Sequence, residues 1–141
     1  MSSASTLSLS NQELAMPKEI ITSPLVTPPK APLSPAVKVG NLVFVSGQPA
    51  FYGDRQIAEN DFEAQMHQVM ANLKALLEAA GSSLDKVVKS NVILTDANDF
   101  DRMNAIYRTY FKEGQYPART TIAASMGNPK FLLEIECIAE V

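Results

Sequence analysis

The sequence predicts an α+β domain in which a mixed β-sheet carries two helices packed on one face. Two segments repeat apolar residues at helical spacing, and β-branched or aromatic runs precede, separate and follow them. A length of 141 residues suits one hydrophobic core. The predicted order is β, β, α, β, α, β, β, which is typical of an α+β sheet with helices on one side.

The N-terminal part differs in composition from the remainder. Residues 1–16 contain five serines and neither lysine nor arginine, and they are predicted to form a disordered extension before a single domain at 17–141. Six of the nine prolines lie from Pro17 to Pro35. Because proline interrupts helices, this stretch is predicted to be an extended surface segment.

The elements from residue 41 onward follow from local patterns. A buried strand is predicted at 41–47 and a helix at 60–80, capped by Asn60 or Asp61 and ended by Gly81. A second strand is predicted at 86–95 and a second helix from Asp99 or Phe100 to Lys112. The last two strands, 119–125 and 131–139, are joined by "MGNPK", which predicts a hairpin turn.

Composition excludes several classes of function. A net charge of −3 and scattered basic residues argue against nucleic-acid binding through a basic face. A single cysteine, Cys137, excludes an internal disulfide and fits a reducing compartment. A single histidine, His67, makes a histidine-rich metal site or a Ser–His–Asp triad improbable, and no metal site is predicted. No apolar run approaches the roughly 20 residues of a membrane span.

Arg119 stands out in "GQYPARTTIAAS", where its neighbours are small or apolar and no acid lies within four residues. A desolvated guanidinium needs a partner, so Arg119 points to water, pairs with a distant carboxylate or binds a ligand. A tight hairpin about Gly127 and Asn128 would place Arg119 opposite Glu136 and Thr121 opposite Glu134. Spacing alone does not separate a cross-strand ion pair from a ligand pocket.

Five stretches together resemble the RidA family, also called YjgF, of homotrimeric enamine and imine deaminases. They are "VSGQ" at 45–48, "NLKALLEAAG" at 72–81, "VVKSNVILTDANDFDRMNAIY" at 87–107, "PAR" at 117–119 and "EIECIA" at 134–139. The resemblance spans about residues 18–141. It implies a chorismate-mutase-like fold (bacillus type), a homotrimer with ligand sites between subunits, and no cofactor.

The resemblance also implies roles for particular residues. Arg119 would bind the carboxylate of the substrate, and Glu134 would orient and activate the attacking water. The other pocket residues implied by the family are Ser46, Gly47, Asn104 and Thr121. In one respect the chain departs from the family pattern, because Leu33 stands where many members have a pocket tyrosine.

The implied function is hydrolysis of reactive enamine and imine intermediates, such as 2-aminoacrylate-type 2-imino acids, to 2-oxo acids and ammonia in the cytoplasm. Leu33 makes one wall more apolar and favours, as an alternative, a pathway-specific enzyme similar to the 2-aminomuconate deaminases. A non-catalytic trimeric module that binds small carboxylates or partner proteins is a further alternative. Retention of both Arg119 and Glu134 favours the enzyme, and the acidic net charge argues against an RNA-cleaving role.

Overall fold

The computed structural model describes residues 17–141. The predicted disordered extension at residues 1–16 lies outside the described residues. Within the described part, no helix has the length and apolar character needed to cross a membrane.

The described chain forms one six-stranded mixed sheet and two α-helices. The sheet order is β1-β2-β3-β6-β4-β5, and every neighbouring pair is antiparallel except β4 with β5, which is parallel. The strands are β1 (Glu19–Ile21), β2 (Ala36–Val39), β3 (Leu42–Gln48), β4 (Val87–Leu94), β5 (Ala118–Ala123) and β6 (Leu133–Glu140). The helices are α1 (Phe62–Ala79) and α2 (Phe100–Tyr107). The α+β class and the two helices are therefore confirmed.

Helix α1 supplies most of the core. The Asp61 side chain caps it by accepting from the Ala64 N–H at 3.0 Å, and Gly81 follows its end with a φ of +83°, which favours glycine. The predicted apolar stripe is buried against the sheet, with Phe62, Met66, Val69, Met70, Leu73, Leu76 and Leu77 all at most 2% exposed.

Helix α2 is shorter than the sequence predicts. It ends at Tyr107, and a 3-10 turn continues from Arg108 to Tyr110. Another 3-10 turn, Ala97–Asp99, precedes it. Asp99 does not cap the helix with its side chain; its Oδ1 instead accepts from Arg102 Nε at 2.8 Å.

The predicted hairpin between the last two strands is wrong. β5 pairs in parallel with β4, whereas β6 lies between β3 and β4. β4, α2 and β5 therefore form a crossover unit, and β5 is an edge strand of the sheet. β6 takes a central position because Leu133, Ile135, Cys137 and Ala139 give it a fully buried face, which β5 lacks.

The strand register also shows that the predicted cross-strand pairs, Arg119 with Glu136 and Thr121 with Glu134, are wrong. Arg119 lies beside Ser90 and Thr121 beside Val92, while Glu136 lies opposite Asn91 and Glu134 opposite Ile93. The Asn91 amide donates to Glu136 Oε1 at 3.0 Å, so Glu136 does not pair with Arg119. The alternation along a strand was predicted correctly, but alternation does not identify the neighbouring strand.

The proline-rich segment is extended, as predicted, and other parts of the chain hold it in place. Ser46 Oγ donates to the Ser34 carbonyl at 2.6 Å, and Thr27 Oγ1 donates to the Gly53 carbonyl at 2.9 Å. The segment also contains β1, and β2 follows it directly, so three strands precede the first helix where the predicted order has two. It therefore forms a fixed wall beside the end of β3.

Candidate active site

Arg119 lies on the face of the sheet that the helices cover. Its neighbour Ser90 is buried and shares a 2.7 Å hydrogen bond with the Tyr107 hydroxyl. The guanidinium carbon lies 4.9 Å from the centre of the Tyr107 ring, and Nη1 lies 3.9 Å from Met103 Sδ. No carboxylate pairs with Arg119 among residues 17–141. The guanidinium is held by aromatic and sulfur contacts and keeps N–H donors for a ligand.

A cavity of about 340 Å³ adjoins Arg119. It is lined by Asn104, Tyr107, Arg108, Tyr116, Pro117 and Arg119. Two guanidinium groups and no carboxylate line it, so its electrostatics favour an anion. The structure thus brings together two of the residues implied by the family, Arg119 and Asn104.

Glu134 lies on the other face of the sheet. In β6, Leu133 and Ile135 on either side of it are fully buried toward the helices, so Glu134 points to the uncovered face. Partial burial raises the pKa of the Glu134 carboxyl above its usual value, and the nearby Glu136 charge raises it further. A half-buried carboxylate whose pKa is raised is a stronger base than an ordinary glutamate.

Gly47 leaves room for the Glu134 carboxylate in its present position. A Cβ at residue 47 would lie 2.6 Å from Glu134 Oε1, closer than real Cβ contacts allow. The pairing of β3 with β6 is irregular between Val45 and Gln48, so this close approach occurs where the ladder is distorted. Glycine there lets the carboxylate pack against the backbone of β3.

A second cavity, of about 210 Å³, contains both Gly47 and Glu134 in its lining. Its walls come from the proline-rich segment, from the turn after β3 and from Phe131, which lies two residues before β6. Leu33, where many RidA proteins have a tyrosine, lines this cavity. Glu134 and Arg119 thus belong to different cavities of one chain.

Two residues implied by the family have other surroundings. The Ser46 hydroxyl is engaged with the Ser34 carbonyl, and Ser46 is absent from the lining of both cavities. Thr121 also lines neither cavity, and its buried Oγ1 has no hydrogen-bond partner among the described residues. Thr121 lies on the same face of β5 as Arg119, so both side chains are on the side of the sheet that the helices cover.

Sequence reasoning missed Tyr107, Phe51 and Arg55 as site residues. Tyr107 lies within the predicted second helix, and its position under Arg119 depends on the parallel pairing of β4 with β5. Phe51 and Arg55 lie in the loop after β3, and no local pattern shows that they line a cavity with Glu134. Within residues 17–141, no group of three His, Cys, Asp or Glu side chains could hold a metal ion.

The fold and the two cavities define a small α+β protein in which an arginine without a carboxylate partner among residues 17–141 and a half-buried glutamate occupy separate places. The family model described as Endoribonuclease L-PSP matches residues 25–141, so the chain belongs to this family and the RidA-type resemblance is confirmed.

Several relatives match almost the entire described chain. A RutC family protein of Pyrococcus abyssi is 43% identical, covering 88% of this chain and 98% of its own. The 2-iminobutanoate/2-iminopropanoate deaminase of Dermatophagoides farinae is 33% identical over 89% of this chain and 98% of its own.

Solved structures agree with this fold. RidA from the Antarctic bacterium Psychrobacter sp. PAMC 21119 superposes with a TM-score of 0.81 at 38% identity, covering 87% of this chain and 99% of that one. TdcF of E. coli with bound serine superposes with a TM-score of 0.80 at 32% identity, covering 87% and 98%.

Proposed function

We propose that this protein hydrolyses 2-imino acids, and the enamines that tautomerise to them, to 2-oxo acids and ammonia. The observation that carries the proposal is a pair of available functional groups. Arg119 has no carboxylate partner among residues 17–141, and Glu134 is a carboxylate of raised pKa. The name of the Dermatophagoides farinae relative, a 2-iminobutanoate/2-iminopropanoate deaminase, supports the same reaction.

Arg119 binds the substrate carboxylate through two parallel N–H donors, a geometry that lysine does not offer. This contact also withdraws electron density from the adjacent C=N carbon. Asn104 lines the same cavity and supplies an amide that can hydrogen-bond the substrate. Because the ligand is fixed at one end, the reacting carbon has a defined position.

Glu134 acts on water as the general base. It accepts a proton as the water oxygen bonds to the carbon of the protonated imine, and the C=N π electrons move to nitrogen to give a neutral carbinolamine. The proton held by Glu134 then passes to the amino nitrogen. The C–N bond breaks as ammonia leaves, the hydroxyl proton passes to Glu134 and then to solvent, and the oxygen forms the C=O bond of the 2-oxo acid. The uncatalysed hydrolysis is already rapid, so positioning and one base suffice.

The two cavities meet when chains associate in a homotrimer of the chorismate-mutase-like type. The uncovered face of the sheet supports this assembly, because Phe44 is 41% exposed and Ile122 is 52% exposed, and partly exposed Ile93 and Ile138 lie on the same face. Such an apolar face is buried when three sheets associate. In that arrangement Arg119 of one chain and Glu134 of another contact the same substrate. The proposed location of the reaction is the cytoplasm.

The activity test uses an amino acid oxidase to generate imines from several amino acids and measures their loss in the presence of the protein. Acceleration above the buffer rate by the wild type, and its loss in Arg119→Ala, is expected. Binding of 2-oxo acids without acceleration of hydrolysis would instead favour the non-catalytic carboxylate-binding module. Light scattering should give the mass of a trimer, and a monomer at micromolar concentration would refute the shared site.

A further inference from the structure

The cavity beside Glu134 has room for more than the attacking water. Its volume of about 210 Å³ far exceeds the roughly 10–15 Å³ that holds one water. Most of its lining is apolar, including Val26, Pro29, Leu33, Pro35, Phe51 and Phe131. The Phe51 and Phe131 rings pack edge to face with centroids 5.2 Å apart, which gives one wall an aromatic surface.

Arg55 lines this cavity from a backbone conformation that disfavours arginine. Its φ is +55°, in the left-handed region that glycine adopts most readily. It precedes Gln56, which pairs with Tyr52 across a three-residue turn, and the last position of such a turn commonly favours glycine. Strained residues of this kind are concentrated at ligand sites.

The Arg55 guanidinium is held in place without being neutralised. Its carbon lies 4.4 Å from the centre of the Phe51 ring, and Nη1 donates to the Pro28 carbonyl at 3.2 Å. Among residues 17–141 it has no carboxylate partner. A half-buried, fixed guanidinium with free donors is prepared to bind an anion.

The charged groups that line the cavity are Lys30, Arg55 and Glu134. In the proposed reaction Glu134 activates water. The two cations, Lys30 and Arg55, therefore remain available to bind an anionic side chain. Lys30 is exposed, whereas Arg55 is partly buried and stacked, so Arg55 is the better defined of the two.

We propose that this cavity binds the substrate side chain, and that Arg55 selects a long apolar side chain ending in a carboxylate. The inference rests on the proposed function, since it places the reacting C=N carbon beside Glu134 and the first carboxylate on Arg119 of another chain. The side chain then extends along Phe51 and Phe131 to Arg55. The substrate class is 2-imino dicarboxylic acids, in contrast to imines with methyl or ethyl side chains.

The test compares two stable ligands that differ only at the end of the side chain: 2-oxoadipate, which ends in a carboxylate, and 2-oxohexanoate, which ends in a methyl group. Isothermal titration of the wild-type protein should show tighter binding of 2-oxoadipate by about tenfold or more, as for hydrogen bonds to charged groups. Arg55→Gln should remove this preference while leaving the affinity for 2-oxohexanoate nearly unchanged. Arg55→Lys should restore part of it.

Lys74→Gln is the matched control, since it removes one exposed positive charge from α1, away from both cavities. It should leave the preference intact. If Arg55 has only a structural role, Arg55→Gln will weaken the binding of both ligands equally or will lower only the melting temperature. Either outcome overturns the inference. Equal binding of both ligands by the wild type overturns it as well.

The same proteins separate this inference from the proposed function. If imine hydrolysis depends on Arg119 but shows no preference for a charged side chain, the side-chain site is refuted and the deaminase activity stands. If no imine is hydrolysed while 2-oxoadipate binds through Arg55, the deaminase activity is refuted and the anion site stands.

Discussion

Arg119 and Glu134 lie on opposite faces of the same β-sheet. Arg119 lies beside the buried residue Ser90 of β4, on the face that the helices cover. Glu134 lies opposite Ile93, on the uncovered face. A sheet backbone therefore separates the two groups within one chain. In the proposed trimer one substrate contacts both groups because they come from different chains, and this proposed shared site has a direct test.

The first prediction is that two inactive variants restore activity when mixed. Arg119→Ala retains Glu134, and Glu134→Gln retains Arg119, so a mixed trimer contains some interfaces with both functional groups. Random association of equal amounts in a symmetric trimer should regenerate about a quarter of the wild-type sites. Co-refolding the two variants and assaying imine hydrolysis measures this. If the mixture stays as inactive as its parents, each site lies within one chain.

The second prediction concerns Gly47. Gly47→Ala should lower kcat by about 100-fold or more while the fold persists, because its methyl group displaces Glu134 Oε1 and misplaces the base. Gly127→Ala is the control, since a Cβ there meets nothing within 4 Å. Kinetics and circular dichroism of both variants check it. Full activity in Gly47→Ala would show that the carboxylate does not work from this position.

The third prediction concerns the pH dependence of turnover. Burial, and to a lesser extent the Glu136 charge, raise the pKa of Glu134, and the base works only when deprotonated. Activity should fall as pH drops through this raised pKa. Glu136→Gln removes one cause, so the acidic limb of the kcat profile should move to lower pH. Glu140→Gln, on the same strand, is the control and should leave the limb in place. A limb that stays fixed or moves upward in Glu136→Gln contradicts the assignment of Glu134.

The fourth prediction concerns stability. Because the pKa of Glu134 is higher in the folded state, the stability that it contributes is present below its ordinary pKa and is lost as pH rises through the raised value. Glu134→Gln should therefore melt at a higher temperature than the wild type at pH 7, with the difference disappearing near pH 4. Thermal melts at both pH values measure this. A variant less stable than the wild type at pH 7 would show that the carboxylate makes a stabilising contact.

The fifth prediction distinguishes a ligand-binding arginine from a structural charge. Arg119→Lys should keep the fold, yet lose about 100-fold or more in kcat/KM, because an ammonium group cannot reproduce the two parallel hydrogen bonds. Arg108→Lys, in the same cavity, provides a comparison at a second arginine. Near-normal hydrolysis by Arg119→Lys would leave Arg119 without the proposed role.

Local patterns were sufficient to predict most elements. The helical stripe from Phe62 to Leu77, the cap at Asp61 and the end at Gly81 all depend on residues close in sequence, and the structure confirms each. Arg119 and Glu134 were identified through motifs, and the structure gives both of them available functional groups.

Long-range pairing could not be predicted in the same way. The alternation in β6 is compatible with either β5 or β3 and β4 as neighbours, and the turn residues at 126–130 wrongly favoured β5. The contact of Gly47 with Glu134 also depends on pairing between distant strands, since the two residues are 87 positions apart in sequence. Burial of both faces, rather than turn chemistry, determines the central position of β6.

The central position of β6 has a consequence for the order of folding. This strand follows every other described element in sequence, yet β3 and β4 are joined in the sheet only through it. During synthesis, β1 to β3 and the β4–α2–β5 unit leave the ribosome before β6, each with an unpaired strand edge. The sheet closes only after β6 emerges, so a nascent chain that lacks β6 should remain open to chaperones and proteases. Because β6 carries Glu134, the proposed catalytic base is positioned by the same pairing that closes the sheet.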